Sequence, residues 1–242
     1  MHKEIWNKYI KGFKFLLPFI LIQVLFESVS LNLGFSEYGF FDFFGENFST
    51  FKQSVVNNLA PILFSLFIGS LFHAFLMVVI KALINEKDIN YRENLKESLG
   101  IYLRYLGLNI ITSAILLGVM LLGFSSILLP FSIIFLIYFN VLLTPCESYL
   151  IYYDTNPAEA LKKGMSLGKE YSGEILLLGI MAGIMIAIIA GIMSVIGIGP
   201  KTNLIGYAFV NFVRISIWVY VCMFAMTICK KGEQTEKAIL KY

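Results

Sequence analysis

Six stretches of the chain, approximately residues 13–33, 59–82, 101–123, 128–153, 175–198 and 204–228, are apolar almost throughout. A helix of about 20 such residues crosses the roughly 30 Å hydrocarbon core of a bilayer, and it satisfies its backbone polar groups internally, as lipid requires. The six stretches therefore predict an all-α fold: a polytopic six-span membrane bundle forming a single integral membrane domain over 1–242. Composition points the same way. Of 242 residues, 58% are hydrophobic and 14% charged, against about a quarter charged in an ordinary soluble domain. The third and fourth spans are joined only by 123–127, with Pro130 opening the next helix, and the fifth and sixth only by 197–203, so both pairs read as tight hairpins.

Basic residues stay on the cytoplasmic side of a membrane and so orient the spans. With the N-terminus inside, sixteen Lys and Arg residues fall on that side, only Lys52 and Lys201 fall outside, and Arg214 is left within the sixth span. This places both termini in the cytoplasm. The net charge of +3 is too small to point to nucleic acid. The sixteen lysines against three arginines, with abundant Ile, Asn and Phe, resemble a low-GC coding bias and point to a bacterial cytoplasmic membrane. A cleaved signal peptide ending near Ser28–Ser30 is the competing reading of the N-terminus. Pro18, Gln23 and Glu27 interrupt that apolar run and favour a retained, packed helix.

The chain also repeats itself at an offset of 66 residues: Asp88–Lys96 and Asp154–Lys162 share Asp-x-Asn-x-x-Glu-x-Leu-Lys, and Tyr105 and Gly107 align with Tyr171 and Gly173. The copies lie two spans apart and so are parallel. Asn90 and Asn156 are N-cap residues, Glu93 and Glu159 occupy the third helical position of a capping box, and Pro157 suits the first. Each copy predicts a short interfacial elbow helix, about 90–100 and 156–168, that turns into the next span. Leu95, Leu99, Tyr102 and Leu106 make the apolar stripe of the first, and Leu161 and Met165 that of the second. Lys96, Lys162 and Lys163 face lipid headgroups or a partner. The elbows are read either as structural joints or as a cytoplasmic docking surface for a protein or anionic lipid. Ile5, Trp6, Tyr9, Ile10 and Phe13 suggest a third, diverged elbow.

The segment Thr144–Lys169 resembles the membrane domain of bacterial glycerophosphoryl diester phosphodiesterases and related, uncharacterised six-span bacterial membrane proteins. Pro145, Glu147, Pro157, Glu159, Ala160, Leu161, Lys162, Ser166 and Leu167 carry the resemblance, while Gly164 stands where serine is more usual. It implies a membrane module without chemistry of its own. In those phosphodiesterases the reaction belongs to a separate soluble barrel with metal-binding His and Glu. Here the histidines are His2 and His73, so that activity does not carry over.

A charge at mid-membrane depth costs about 2.5 kcal/mol or more unless paired. Arg214, ten residues into the sixth span, therefore needs a partner, and Glu27 reaches a similar level on the first span, whereas Glu147 lies nearer the cytoplasmic face. Gln23, Asn109, Asn140 and Asn211 can add hydrogen bonds. The expected Arg214–Glu27 pair either fixes helix order or lines a polar cavity for a substrate or ion. His73 reads as a hydrogen-bonded packing residue, with a proton relay as the alternative. Gly179, Gly183, Ala187 and Gly191 recur every fourth residue on the fifth span and predict close helix packing within the chain, with a homodimer seam as the alternative. Aromatic residues of 35–51 suit the outer headgroup region. No phosphate-binding glycine loop, paired-His metal motif or nucleophile with its base is present, so neither enzymatic activity nor a metal or cofactor is expected. The three cysteines, Cys146, Cys222 and Cys229, read as reduced thiols serving as small hydrophobes. Two functions remain: a membrane module that organises lipid or docks a partner, or a transport component using the Arg214 cavity.

Overall fold

The computed structural model describes residues 1–32, 56, 59–125, 127–198 and 203–239, with the side chains of 28–32, 61 and 234–239 outside that description. The aromatic 35–51 loop lies outside the described residues. Every regular element among the described residues is helical: α1 (His2–Asn32), α2 (Leu59–Phe64 and Ser70–Ile84, joined by a π-helical turn Ser65–Gly69), α3 (Tyr91–Leu122), α4 (Leu129–Tyr153), α5 (Pro157–Glu170), α6 (Ser172–Val195) and α7 (Leu204–Ile239). Six of them, all but α5, are long and apolar enough to cross a membrane. The chain is a multi-pass membrane helix bundle. Its proximal end holds the start of α1 and the turns 85–90 and 154–156; its distal end holds the turn 123–128.

Packing differs sharply between the two ends. At the proximal end, Leu76–Ile80 of α2 and Cys222–Cys229 of α7 are buried at every consecutive position. A helix apolar on all sides needs cover on all sides, and here α1, α3 and α4 supply it with Ile5, Leu16, Ile20, Ile101, Tyr105, Leu150 and Ile151. Toward the distal end the helices expose apolar side chains, and Ile175 is the one buried residue of α6.

Polar contacts close the proximal end. Lys8 and Lys230 both donate to the carbonyl of Ile84, at 3.0 and 2.9 Å, satisfying an acceptor that the end of α2 leaves free. Lys8 also bridges Glu4 and Glu86. Its hydrogen bond and then its charge hold the Glu86 carboxyl below the ordinary carboxylate range. Arg104 of α3 clamps the α4–α5 turn, donating to the Asp154 carbonyl at 2.9 Å and to its carboxylate at 2.6 Å. Asp154 itself ends α4 in the left-handed conformation.

The two repeat copies fold differently. Asn90 and Asn156 are N-caps, accepting from the amides of Arg92 at 3.1 Å and Glu159 at 2.9 Å. Glu93 and Glu159 stay exposed. The expected first elbow is not a separate helix: residues 96–104 contain no proline, and α3 runs through Gly100 unbroken for 32 residues. Its expected stripe is split: Leu106 is buried and Tyr102 half-buried, whereas Leu95 and Leu99 are exposed, and the buried row at their level is Asn94, Ser98, Ile101 and Tyr105. Nor is the N-terminal segment an elbow: it is the continuous start of α1, with Ile5 and Tyr9 buried.

The second elbow is a separate helix, α5, ended where Tyr171 leaves helical geometry at φ −100°, ψ 19°. It does not lie alone in the interface but folds back along α4. A Cβ at Gly164 would fall 2.5 Å from the Cys146 Cα, and one at Gly168 would collide with the backbone of Leu142. Two glycines four residues apart thus let the backbones touch. Leu161 and Met165 pack against the core on the same side.

The expected close packing at Gly179, Gly183, Ala187 and Gly191 is not found among the described residues. All four are exposed, and a Cβ at any of the three glycines meets nothing within 4 Å. Small residues permit a close approach, but the neighbouring helix contacts α6 elsewhere. Gly164→Ala and Gly168→Ala should therefore each destabilise the protein by about 1–3 kcal/mol by overpacking. Gly183→Ala should not. Thermal unfolding in detergent micelles checks the contrast.

Candidate functional site

Two polar constellations lie inside the spans. The first joins α2, α3 and α4. His73, eleven residues before the end of α2, hydrogen-bonds through Nδ1 to the Tyr105 hydroxyl. Tyr105, fully buried, donates to Glu147 Oε2 at 2.7 Å, and His73 Nδ1 lies 3.4 Å from the same carboxylate oxygen. Trp218 of α7 stacks on the imidazole, its ring centroid 4.4 Å away at an interplanar angle of 29°. Four helices thus meet at one imidazole, whose Nε2 is buried without a hydrogen-bond partner among the described residues.

Local backbone chemistry places this group. The π-helical turn at Ser65–Gly69 precedes His73 by one turn, and such a turn redirects the helix that follows it. Tyr102 donates to the Phe67 carbonyl within that turn at 3.0 Å, and Asn109 donates to Ser70 Oγ at 2.7 Å. Together they pin α2, just before His73, to α3 on either side of Tyr105.

The second constellation joins α1 and α7. Arg214 Nη2 donates to Glu27 Oε2, and Arg214 Nε donates to Asn211 Oδ1 at 3.1 Å. The Arg214 side chain is 49% exposed and that of Glu27 23%, so the pair sits at the bundle perimeter and not in a sealed interior. Gln23 lies half-buried one turn before Glu27. Asn211, Arg214, Trp218 and Cys222 recur at helical spacing on α7, which sets the ion pair about one turn, roughly 6 Å, from the His73 group.

The expected single polar cavity around Arg214 is thus replaced by two distinct groups, because His73 and Glu147 face Tyr105 instead of Arg214. Asn109 belongs to neither, and Asn140 donates to the carbonyl of Leu136 on its own helix at 2.8 Å. Sequence reasoning passed over Tyr105, Trp218 and Arg104. Tyr105 had a signal in its alignment with Tyr171, which reads there only as a repeat identity.

Two concavities lie elsewhere. One, of about 390 Å³ at the proximal surface, is lined by Glu4, Lys8, Lys11 and Glu86. The other, of about 610 Å³, is a lateral groove between α4 and α6, lined by Leu136, Asn140, Thr144, Ile175, Gly179 and Val221. Its polar groups are already engaged with the α4 backbone: Thr144 donates to the Asn140 carbonyl at 2.7 Å and Asn140 to that of Leu136. On the adjoining α5, Lys162, Lys163 and Lys169 are exposed, as is Lys96 on α3. Among the described residues, no three His, Cys, Asp or Glu side chains gather to hold a metal ion.

No family model matches the sequence, and no curated protein or solved structure matches it either. The functional argument therefore rests on this geometry. In a double-mutant cycle, Arg214→Leu and Glu27→Leu should each lower stability while the double substitution recovers part of the loss. A coupling of about 1 kcal/mol or more is expected, read from thermal unfolding in detergent; strictly additive losses would show the two charges to be independent.

Proposed function

We propose that the chain is a non-enzymatic module of the bacterial cytoplasmic membrane that organises lipid, with its proximal end and both termini in the cytoplasm. The lateral α4–α6 groove carries this reading. It opens toward the bilayer on a helix whose perimeter is apolar and exposed, and its two polar side chains each hydrogen-bond to their own backbone. A lining of mostly aliphatic side chains suits a hydrocarbon chain, and its volume lies in the range of ligand-sized pockets. A phospholipid acyl chain is the occupant that the surrounding membrane supplies. Gly179 leaves room for it.

The lysines of α5 supply the second half of the site. Lys162, Lys163 and Lys169 stand exposed on the helix that leads directly into α6, and each lysine near a surface attracts anionic lipid by about 1 kcal/mol. A headgroup held by these lysines would lead its acyl chain toward the groove. The proximal core, buried residue by residue, supports a rigid scaffold for this lipid contact.

A transport component is the second reading, favoured by the alignment of Asn211, Arg214, Trp218 and Cys222 along α7. It requires a polar path from one end of the bundle to the other. The all-round burial of Leu76–Ile80 and Cys222–Cys229 at the proximal end supports the lipid module instead.

Native mass spectrometry of protein released from nanodiscs of mixed anionic and zwitterionic phospholipid tests the proposal. Gly179→Leu should reduce retained phospholipid. Lys162→Gln with Lys163→Gln should weaken the preference for anionic lipid by about fivefold per charge. Retention and preference that both stay unchanged would overturn it.

A further inference from the structure

The His73–Tyr105–Glu147 group contributes no side chain to the α4–α6 groove, and its chemistry differs from that of a packing contact. A histidine–tyrosine hydrogen bond alone would fasten α2 to α3. Glu147 brings a carboxyl group into an apolar span, where a charge without a partner is costly. Something must balance it. The cation in reach is the imidazolium of His73, 3.4 Å away.

The direction of the hydrogen bonds defines where the balancing proton goes. Tyr105 spends its hydrogen on Glu147, so its oxygen must accept from His73 Nδ1–H. In the neutral imidazole this leaves the lone pair on Nε2, the buried atom without a partner. Trp218 covers the same ring, and an aromatic face attracts a cation stacked on it. The countercharge, the bridging hydroxyl and the π face are all in place for a positive charge on His73.

We propose that His73, Tyr105 and Glu147 form a proton-binding site that takes up one proton at His73 Nε2. A proton from the aqueous phase forms the new N–H bond, no other bond breaks, and the group passes from one net negative charge to none. Its surroundings contain few other charges. Facing it are Tyr105 from α3, Glu147 from α4, and Trp218 and the Cys222 thiol from α7. Arg214 lies one turn away on α7 and is engaged with Glu27, while on α2 itself Lys81 lies two turns on and is engaged with Glu97. Uptake therefore changes the charge at the point where four helices meet, and Trp218 registers it directly.

Trp218 makes the test. The chain has two tryptophans, so Trp6→Phe leaves Trp218 as the sole indole emitter in the full chain, reconstituted in nanodiscs. An imidazolium stacked on an indole quenches its emission. The expected result is a one-proton quenching transition as the pH is lowered, lost in His73→Asn. Tyr105→Phe, which keeps the ring packing, and Glu147→Gln should each displace its midpoint by about one pH unit or more; these two decide the matter if His73→Asn fails to fold. A flat profile in the parent, a transition that survives His73→Asn, or midpoints unmoved by both other substitutions would overturn the proposal. Gly179→Leu should leave the transition in place, which separates this site from the lipid groove.

Discussion

The rest of the structure is arranged around two short helical segments that have no exposed side. Leu76–Ile80 and Cys222–Cys229 are covered on every face, and such cover takes several neighbouring helices at once. That requirement draws α1, α3 and α4 together at the proximal end and gives the Lys8 and Lys230 side chains a common target at Ile84. It also brings His73, Tyr105, Glu147 and Trp218 within reach of one another. Truncating a residue such as Phe224 there would cost about 3–5 kcal/mol, far more than any exposed side chain of α6.

The opposite half obeys a different rule. Lipid tails are as apolar as the side chains they meet, so helices there gain nothing from hiding apolar area and depend on shape. Where shape fits, as it does nearer the proximal end at Gly164 and Gly168 against α4, backbones touch. Where it does not, as along most of α6, side chains are left for lipid. The groove between α4 and α6 lies where the first condition gives way to the second. This juxtaposition, a rigid core beside an apolar lateral groove, supports the proposed role more than any single residue does.

Much of the architecture was readable because it rests on length and on local chemistry. An apolar run of twenty residues has few fates, and Asn90 and Asn156 cap helices wherever those helices go. The Arg214–Glu27 contact could be anticipated by counting depth along two antiparallel helices. What could not be read was which side of a helix its neighbours would occupy. The Leu95–Leu99 row has a clean period, yet the Asn94–Ser98 row is the one buried, and a buried polar face offers no periodic signal. Likewise, the apolar runs of α6 and α7 look alike in sequence, although one meets lipid and the other protein. The Gly164 and Gly168 spacing is a usable signal, but a longer glycine series stands beside it in the fifth span.

That last contrast is the most direct test of the account. In a tryptophan-free background made by Trp6→Phe and Trp218→Phe, a single tryptophan can be placed at Ile180 of α6 or at Phe224 of α7, and its emission measured in bilayers of brominated phospholipid. Ile180 is 51% exposed and Phe224 fully buried. Strong quenching at 180 with little or none at 224 is the predicted result. Equal quenching at the two positions would contradict a bundle sealed at its proximal core and open to lipid along α6.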